Sequence, residues 1–354
     1  MSQEKRALVA MSGGVDSAVT AYLIKSRGYV ALGVTMRLQG GENSCCSRQD
    51  IEDASRVAAS LGMAHEVCDL SPLFEEKVIL PFIEAYETGR TPNPCVACNR
   101  HLKFAALYAH GRARGYDVIA TGHYARIRYD EKSGRYLLLR AVDESKDQSY
   151  VLYNLTQDQL AHTCFPLGEM TKAEVRRTAA ALGFPNAEKR DSQDICFVPD
   201  GDYAAFIEAY TGKTYPPGDF VTLDGRVLGR HRGIIRYTLG KRKGLGLSLP
   251  APLYVCGLDL QENRVLLGEE KDLYTKTLYA RDLNLITAAR WDEPQRLTAR
   301  VRYRQKEQPA TVTLVGEDLL RVEFDEPQRA VTRGQSVVLY DGDVVAGGGV
   351  IADG

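Results

Sequence analysis

The chain has 354 residues, of which 44% are hydrophobic and 26% are charged. This composition is typical of folded domains and excludes a disordered, collagen-like or low-complexity chain. The 45 basic and 46 acidic residues nearly cancel, so any surface for nucleic acid must be local. No apolar run approaches the ~18 residues of a membrane span. The apolar run 7–11 is also too short for a secretory leader. These two observations predict a cytoplasmic protein with no membrane contact.

Strands and helices are predicted to alternate over the first third of the chain. Glycine follows three of the predicted helices, at Gly28, Gly62 and Gly115, and is a common signal for a helix C-terminus. This alternation favours a parallel sheet with helices on both faces. The predicted elements are, in order, strand 7–11, helix 15–27, strand 30–36, helix 49–61, strand 65–67, helix 101–114 and strand 117–121.

The rest of the chain changes from mixed elements to short strands. A hairpin is predicted over 126–140, and a helix is predicted from Thr171, where Glu174 completes a capping box. Later segments alternate in polarity and predict an all-β barrel or sandwich; they are 298–304, 310–315, 320–324 and 337–340. We therefore expect an α/β domain over 1–200, a small central module over 201–273 and a C-terminal β-barrel over 274–354.

A glycine-rich loop, Met11-Ser12-Gly13-Gly14-Val15-Asp16-Ser17, joins the first predicted strand to the first helix. The glycines allow a tight turn, and the free N–H groups at the start of the helix attract an anion. Lys-Ser or Lys-Thr is missing after the glycines, so this is not a Walker A loop. Asp16 would repel a phosphate unless Mg²⁺ lies between them, so a magnesium ion is expected. The alternative is a capped glycine turn, but the position after the first strand of an α/β domain favours a nucleotide.

The eight cysteines do not indicate a disulfide framework in a cytoplasmic chain of this size. Cys95 and Cys98 precede a predicted helix, where a thiol is expected to have a lowered pKa and to be reactive or to bind a metal. Cys196 supplies a third thiol in a polar segment. The other cysteines are interpreted as small buried hydrophobic residues or, near residue 45, as part of a loop; they are Cys68, Cys164, Cys256, Cys45 and Cys46.

These motifs, in this order, resemble those of the tRNA-specific 2-thiouridylase family. The loop alone also resembles the signature of the wider PP-loop ATP pyrophosphatase superfamily. The resemblance covers essentially the whole chain and rests on Ser12–Ser17, Thr91–Asn99, Lys146–Tyr150, Asp191–Phe197, Arg302–Gln305 and Gly334–Ser336. It implies a PP-loop ATP-binding catalytic domain, a central tRNA-binding module, and ATP-dependent replacement of the 2-carbonyl oxygen of the wobble uridine of tRNA by sulfur.

The resemblance also implies roles for the thiols. ATP adenylates the carbonyl oxygen, and a sulfur nucleophile then attacks the same carbon. Cys196 is expected to carry a persulfide, supplied by a sulfur-relay or cysteine desulfurase protein. Cys98 is expected to attack the sulfur–sulfur bond and release sulfide, or to resolve the link after transfer, ending as a Cys98–Cys196 disulfide.

Binding residues follow from the same resemblance. ATP is expected to contact the loop and two positions at strand ends, namely Ala10, Met11, Ser12, Gly13, Gly14, Val15, Asp16, Ser17, Met36 and Gly122. The target base, taken out of its stack, is expected to meet Asn93, Pro94 and Cys95. Further tRNA contacts are expected at His123, Lys146, Asp147, Gln148, Arg302, Tyr303 and Gln335. The alternatives are that Asp147 caps a helix and that Arg302 lies on a solvated strand face.

One position departs from the family pattern, because many members have Asp where this chain has Cys95. Cys95, Cys98 and Cys196 could then form a three-thiolate site that holds a [4Fe–4S] cluster with one open iron. The persulfide route needs only Cys98 and Cys196 and stays the first hypothesis. Zinc is less favoured, because a structural zinc site needs a fourth ligand.

A basic tract lies in the central region and contains Arg226, Arg230, Arg232, Arg236, Lys241, Arg242 and Lys243. It fits a surface that follows an RNA backbone, although a solvated β-surface with distant acidic neighbours is the alternative. Residues 300, 302, 304 and 306 are also basic, and a strand would present them on one face. These features favour an RNA-modifying enzyme over a PP-loop ligase for a small metabolite or a non-catalytic RNA-binding protein.

Overall fold

The computed structural model describes residues 4–39, 47–189, 195–198 and 201–353. The predicted loop with Cys45 and Cys46, and residues 191–194 of the segment that leads to Cys196, lie outside the described residues.

A five-stranded parallel sheet forms the centre of the N-terminal domain, in the order β3-β2-β1-β4-β7. The central strand is fully buried at Ala7, Leu8 and Val9, as expected for a parallel strand covered on both faces. The predicted parallel sheet is therefore confirmed. The strands are β1 (Arg6–Ala10), β2 (Val30–Arg37), β3 (Ala64–Asp69), β4 (Val118–Ala120) and β7 (Thr163–Cys164).

Helices cover both faces of this sheet. Val19, Val57 and Val175 come from three different helices and join one core against one face, while Leu107 packs with Leu8 on the other. None of the helices within the described ranges is long and apolar enough to cross a membrane. The helices are α1 (Val15–Ser26), α2 (Arg48–Ser60), α3 (Ser71–Phe74), α4 (Leu80–Glu87), α5 (Pro94–Cys98), α6 (Leu107–Ala113), α7 (Gln157–Ala161), α8 (Lys172–Ala181) and α9 (Tyr203–Thr211).

The helix that carries Cys95 and Cys98 begins earlier than the sequence predicts. It starts at Pro94 rather than near His101, because Asn93 Oδ1 accepts the Cys95 N–H at 3.1 Å and Pro94 takes the first helical position. A π-helical segment, Asn99–Ala106, connects α5 to α6. Another π-helical segment, Glu75–Ile79, connects α3 to α4. Short 3₁₀ segments lie at Ser149–Leu152, Pro166–Glu169, Ile234–Arg236 and Glu270–Leu273.

The central module is a four-stranded sheet in the order β10-β11-β8-β9. Phe220, Val255 and Val265 form its buried core together with Tyr237. The strands are β8 (Gly218–Thr222), β9 (Val227–His231), β10 (Tyr254–Asp259) and β11 (Arg264–Gly268).

The C-terminal strands form a barrel, which confirms the predicted all-β region. The order is β12-β15-β14-β13-β16-β17, and an additional β12–β17 pairing closes the ring. The hairpin predicted over 126–140 extends this sheet, because β6 pairs with β17 through Leu139 and Val344. The strands are β5 (Ala125–Asp130), β6 (Arg135–Arg140), β12 (Tyr274–Leu285), β13 (Gln295–Arg300), β14 (Gln308–Gly316), β15 (Leu319–Arg329), β16 (Ser336–Asp341) and β17 (Val344–Ala352).

The strand predicted over 298–304 is wrong at its C-terminal end. β13 stops at Arg300, and the chain then turns at 301–305. The basic residues at 302, 304 and 306 therefore do not share one face of a strand, because the strand ends before them.

Candidate active site

One cavity of about 830 Å³ lies at the carboxyl ends of the parallel strands, where α/β sheets bind ligands. Its size is within the usual range for a small-molecule site. Its walls come from the glycine loop, from segment 121–124, from segment 144–148 and from the turn after β13. The cavity is lined by Ala10, Met11, Ser12, Gly14, Val15, Asp16, Ser17, Met36, Asp50, Lys103, Thr121, Gly122, His123, Tyr124, Glu144, Ser145, Lys146, Asp147, Gln148, Lys189, Arg300, Tyr303, Arg304, Gln305 and Lys306.

The glycine loop is held in a tight turn. Gly13 has a φ of +73°, and a Cβ there would lie 2.3 Å from the carbonyl oxygen of Asp50, so only glycine fits. Ser17 Oγ accepts the Ser12 N–H at 3.2 Å and donates to the Gly14 carbonyl at 2.9 Å. Within the part of the chain that the structure describes, no side chain caps the start of α1 at Gly14. The first N–H groups of α1 thus remain available to an anion in the cavity.

Asp16 is neutralised by a buried lysine. Lys172 Nζ lies 2.7 Å from Asp16 Oδ1 and 2.8 Å from Oδ2, and the Tyr124 hydroxyl donates to Oδ1 at 2.8 Å. The Lys172 side chain is only 10% exposed. Its cation offsets the carboxylate that was expected to repel a phosphate. Both oxygens of Asp16 are therefore occupied, and the carboxylate does not fit Mg²⁺ unless Lys172 moves.

A second lysine, Lys189, contacts the glycine loop at the Gly13 carbonyl. Lys189 Nζ contacts Asp50 Oδ1 at 2.5 Å, Asp53 Oδ2 at 3.1 Å and the Gly13 carbonyl at 3.3 Å. Asn186 Nδ2 donates to the same carbonyl at 3.0 Å. The segment that leads toward Cys196 is thus bonded directly to the glycine loop.

The segment that carries Cys95 and Cys98 meets the segment that carries Cys196. Burial is the main cause that raises the pKa values of Cys95 and Cys98, and negative charge on Cys196 adds to it. Cys98 and Ile195 also pack against one core, which contains Phe74 and Phe82. Cys95 and Cys196 are exposed, whereas Cys98 is half-buried.

The predicted lowering of the thiol pKa values is wrong for the protein without ligands. Desolvation raises the pKa of Cys98 to about 11 and also raises that of Cys95, and this outweighs the opposing effect of the Lys103 ammonium. At neutral pH both groups are therefore protonated thiols. The described part of the chain contains no group of three His, Cys, Asp or Glu side chains arranged to hold a metal ion, so we derive no step through a cluster.

Lys103 is absent from the residues that the sequence predicts, because Cys98 precedes the helix predicted over 101–114. Even in an α-helix continued back to Cys98, five residues would turn the side chain by about 140°, away from the face of Cys98. The π-helical winding over Asn99–Ala106 pairs residues i and i+5 and brings Lys103 back to that face. Only the three-dimensional winding identifies this lysine as part of the site.

His123 joins Lys103 to the wall of the cavity. Its Nε2 lies 3.3 Å from Lys103 Nζ, and its Nδ1 lies 2.7 Å from Thr121 Oγ1. Burial lowers the pKa of His123 well below its usual value, so the ring is neutral. Because an ammonium can only donate, Nε2 is the acceptor and Nδ1 carries the proton that is donated to Thr121.

The comparisons with known proteins show which family the chain belongs to. The chain is 48% identical to the tRNA-specific 2-thiouridylase MnmA of Clostridioides difficile (strain 630) over 99% of both chains. It is 51% identical to the protein of the same name from Moorella thermoacetica, over 97% of this chain and 98% of that one. The chain belongs to the tRNA-specific 2-thiouridylase family.

Three family descriptions match successive parts of this thiouridylase-family chain. Residues 5–200 match a tRNA methyl transferase HUP domain, residues 204–269 a PRC-barrel domain and residues 275–351 an aminomethyltransferase β-barrel domain. These matches agree with the α/β, central and barrel regions of the structure.

Several residues for which the family resemblance implies tRNA contacts have partners within the protein. Asp147 is buried, and its carboxylate accepts hydrogen bonds from the Ala141 and Ser149 N–H groups and the Ser149 hydroxyl. It therefore holds Ser149 at the start of the 3₁₀ segment 149–152, but the N-cap of that segment is Gln148, so the helix-cap alternative is wrong. Gln148 Oε1 accepts the Tyr124 N–H at 2.9 Å.

The two expected contacts after β13 differ from each other. Arg302 is not on a solvated strand face, because its Nη2 donates to the Leu239 and Ala330 carbonyls and to Thr332 Oγ1. It joins the central module to the barrel. Tyr303 is 38% exposed and lines the cavity, and its hydroxyl donates to the Asp147 carbonyl at 3.2 Å.

Some residues of the basic tract in the central module form ion pairs with acidic side chains, and others do not within the described ranges. Arg230 pairs with Asp219, and Arg236 pairs with Glu208. The remaining exposed basic side chains have no ion pair within the described ranges; they are Arg226, Arg232, Arg242 and Lys243.

We predict that Lys172→Met weakens nucleotide binding. Without its cation, Asp16 repels the phosphates, and a weakening on the order of tenfold in Kd corresponds to ~1.4 kcal/mol. Isothermal titration calorimetry measures the Kd for ATP. Adding Asp16→Asn to Lys172→Met should restore most of the affinity, whereas an unchanged Kd in Lys172→Met would contradict the neutralising role.

We also predict that alkylation of Cys98 by iodoacetamide is slow at neutral pH and rises as pH approaches 11, because the thiol must lose its proton. Lys103→Met should slow the reaction further at any pH below that value, since the cation opposes the raised pKa. Mass spectrometry of the modified peptide gives the rate. Lys103→Arg is the control and should behave like the unchanged protein; equal rates for Met and Lys at position 103 would show that the ammonium does not act on Cys98.

Proposed function

We propose that the chain is an ATP-dependent tRNA-uridine 2-sulfurtransferase that acts on the wobble uridine. The observation that carries this proposal is that the glycine loop, the lysine beside the thiols and the basic turn after β13 open to one cavity. Relatives named tRNA-specific 2-thiouridylase, 48% to 51% identical over nearly their full lengths, support it.

ATP would bind with its phosphates at the glycine loop and its remaining contacts at Met36 and Gly122. The first N–H groups of α1 would hold the phosphates, and Lys172 removes the repulsion of Asp16. The 2-carbonyl oxygen of the uracil attacks the α-phosphorus, the α–β phosphoanhydride bond breaks, and pyrophosphate leaves. The oxygen, now bound to AMP, has become a good leaving group.

Sulfur transfer then uses the thiols. The terminal sulfur of a Cys196 persulfide attacks C2, and AMP departs with the oxygen. Cys98 then loses its proton, and the thiolate attacks Cys196 Sγ, which breaks the sulfur–sulfur bond and releases the 2-thiouridine, which takes up a proton. The transferred sulfur gains two electrons, which come from the two cysteines as they form a disulfide. A cellular dithiol must reduce this disulfide before the next turnover. Release of free sulfide by Cys98 before attack on C2 gives the same balance.

Base and tRNA contacts are assigned as follows. The extruded base would meet Asn93, Pro94 and Cys95. These residues lie at the start of α5 (Pro94–Cys98), which carries Cys95 and Cys98 and is called the thiol helix below. Lys146, His123 and Tyr303 line the cavity beside it. The exposed part of the basic tract would bind the RNA backbone. We further propose that the functional divisions run over 1–200, 201–273 and 274–354.

The remaining components are proposals of the same kind. Magnesium would arrive as MgATP, bound through the phosphates. The persulfide would come from a sulfur-relay or cysteine desulfurase protein. A cytoplasmic location is supported by the proposed reaction, since Cys98 and Cys196 must return to their reduced state after each turnover and a reducing compartment keeps thiols reduced.

Cys196→Ser is predicted to abolish formation of 2-thiouridine while tRNA affinity stays within a few-fold, because a hydroxyl cannot carry the persulfide. Nucleoside analysis of tRNA after incubation with ATP, Mg²⁺ and a sulfur donor measures the product, and filter binding measures affinity. Cys256→Ser, on the central module, is the matched control and should retain activity. Parallel loss of tRNA binding in Cys196→Ser would contradict a purely chemical role, and absence of tRNA binding by the unchanged protein would favour a ligase for a small metabolite.

Replacing Arg242 and Lys243 together by Gln should reduce the slope of log K against log salt for tRNA binding by about 0.7–0.9 for each phosphate that the variant no longer neutralises. The matched control is Arg264→Gln with Lys271→Gln, which removes the same charge from the same module, where both residues pair with glutamates. Equal slopes for the two double variants would show that the tract does not bind RNA.

A further inference from the structure

A turn of the C-terminal barrel is bonded to the segment that precedes the thiol helix. This turn, residues 332–335, connects β15 to β16. The Thr91 N–H donates to the Arg333 carbonyl at 2.9 Å. In the other direction, Gln335 Nε2 donates to the Thr91 carbonyl at 2.8 Å and to the Pro92 carbonyl at 3.3 Å. The two segments are therefore joined by reciprocal hydrogen bonds across 243 and 244 residues of chain.

The approach is close because of Gly334. Its φ is +86°, and a Cβ would lie 3.2 Å from both Thr91 N and Thr91 O. The turn itself is fixed to the last strand, since the Gly334 N–H donates to the Ile351 carbonyl at 3.0 Å and the Ile351 N–H donates to the Gln335 carbonyl at 2.8 Å. The barrel thus presents a well-supported surface to Thr91.

The segment 91–94 needs such support from outside. Pro92 and Pro94 have no N–H group, so the segment cannot form a regular ladder with a neighbouring strand. Its carbonyl groups still require donors. One Gln side chain, with two N–H groups, supplies donors to two successive carbonyls.

The segment 91–94 connects the residues bonded to this turn with the helix that carries the thiols, and this segment is short and restricted in conformation. The two prolines restrict φ at positions 92 and 94. Asn93 Oδ1 accepts the Cys95 N–H and so fixes the start of α5. A movement of Thr91 and Pro92 would therefore also move Cys95 and Cys98.

The barrel holds the thiol helix at a second place. Arg100, two residues after Cys98, forms a bidentate pair with Asp282 of β12, with Nη2 and Oδ1 2.9 Å apart. The Tyr150 hydroxyl donates to the Ser336 carbonyl at 2.8 Å, next to Gln335. The chain is thus tied to the barrel before the helix, at Thr91 and Pro92, and after it, at Arg100.

We propose that the 332–335 turn positions the thiol helix and that Gln335 is a positioning residue, which acts on the backbone carbonyls of Thr91 and Pro92 rather than on tRNA. The barrel then sets where Cys95 and Cys98 stand relative to the extruded base. This inference rests on the proposed thiolation reaction for its kinetic consequence, but not for the hydrogen bonds themselves.

The kinetic test uses Gln335→Glu and Gln335→Ala. Glu has nearly the same shape and lacks the N–H donors, so both variants should lower kcat for 2-thiouridine formation on the order of tenfold, as expected when a reacting group is misplaced. The KM for tRNA, the Kd for tRNA and the Kd for ATP should stay within about twofold. Gln295→Glu, at the half-buried first residue of β13 in the same barrel, is the matched control and should keep the original kcat.

Weakened tRNA binding with an unchanged kcat would overturn the proposal and make Gln335 an RNA-binding residue. Unchanged values of both would overturn it as well. Deuterium exchange on the unchanged protein covers the case in which a variant does not fold. The Thr91 amide should exchange slowly, because it donates to the Arg333 carbonyl. Rapid exchange at this amide would show that the hydrogen bond between the turn and Thr91 is not formed and would overturn the proposal. If the unchanged protein exchanges slowly but makes no thionucleoside, the proposed function fails while the link between turn and helix stands.

Discussion

The arrangement of the site depends on one constraint, which is that the parallel strands of the N-terminal sheet end at a single edge. The glycine loop follows β1, Met36 lies in β2 near its end, and Gly122 follows β4. The loop can turn at this edge only because Gly13 has no side chain, since a Cβ would lie 2.3 Å from the Asp50 carbonyl. The proposed nucleotide site therefore follows from strand direction and from one glycine, and the helices and the barrel supply the other groups that line the cavity.

Lysines make this edge suitable for anions without giving the chain a large net charge. Lys172 offsets Asp16, and Lys189 offsets Asp50 and Asp53 under the glycine loop. Lys103 acts at the opposite side, where it opposes the effect of burial on the pKa of Cys95 and Cys98. Each of the three aspartates near the loop thus has a lysine partner, with Lys189 shared between Asp50 and Asp53, although the net charge of the chain is only −1.

Much of this could be predicted from sequence, for physical reasons that differ between features. The parallel sheet, the glycine loop and the barrel have strong local patterns, namely glycine after helices, a strand–turn–helix loop and alternation of polarity. The helix that carries Cys95 and Cys98 begins before the predicted start near His101, because Asn93 caps it and Pro94 takes its first position. The end of β13 was misplaced because alternation continues past Arg300 into a turn. Single lysines carry no local pattern, so Lys103 and Lys172 emerged only from tertiary contacts. For the same reason the internal bonds of Asp147, Arg302 and Gln335 could not be seen in the sequence.

The central claim is that Cys98 and Cys196 act as a pair on one adenylated uracil. A single turnover with protein carrying a persulfide on Cys196, in the absence of reductant, tests it most directly, with product and protein analysed by mass spectrometry from the same sample. The account predicts one Cys98–Cys196 disulfide for each 2-thiouridine formed. Formation of 2-thiouridine while both cysteines remain reduced would contradict it.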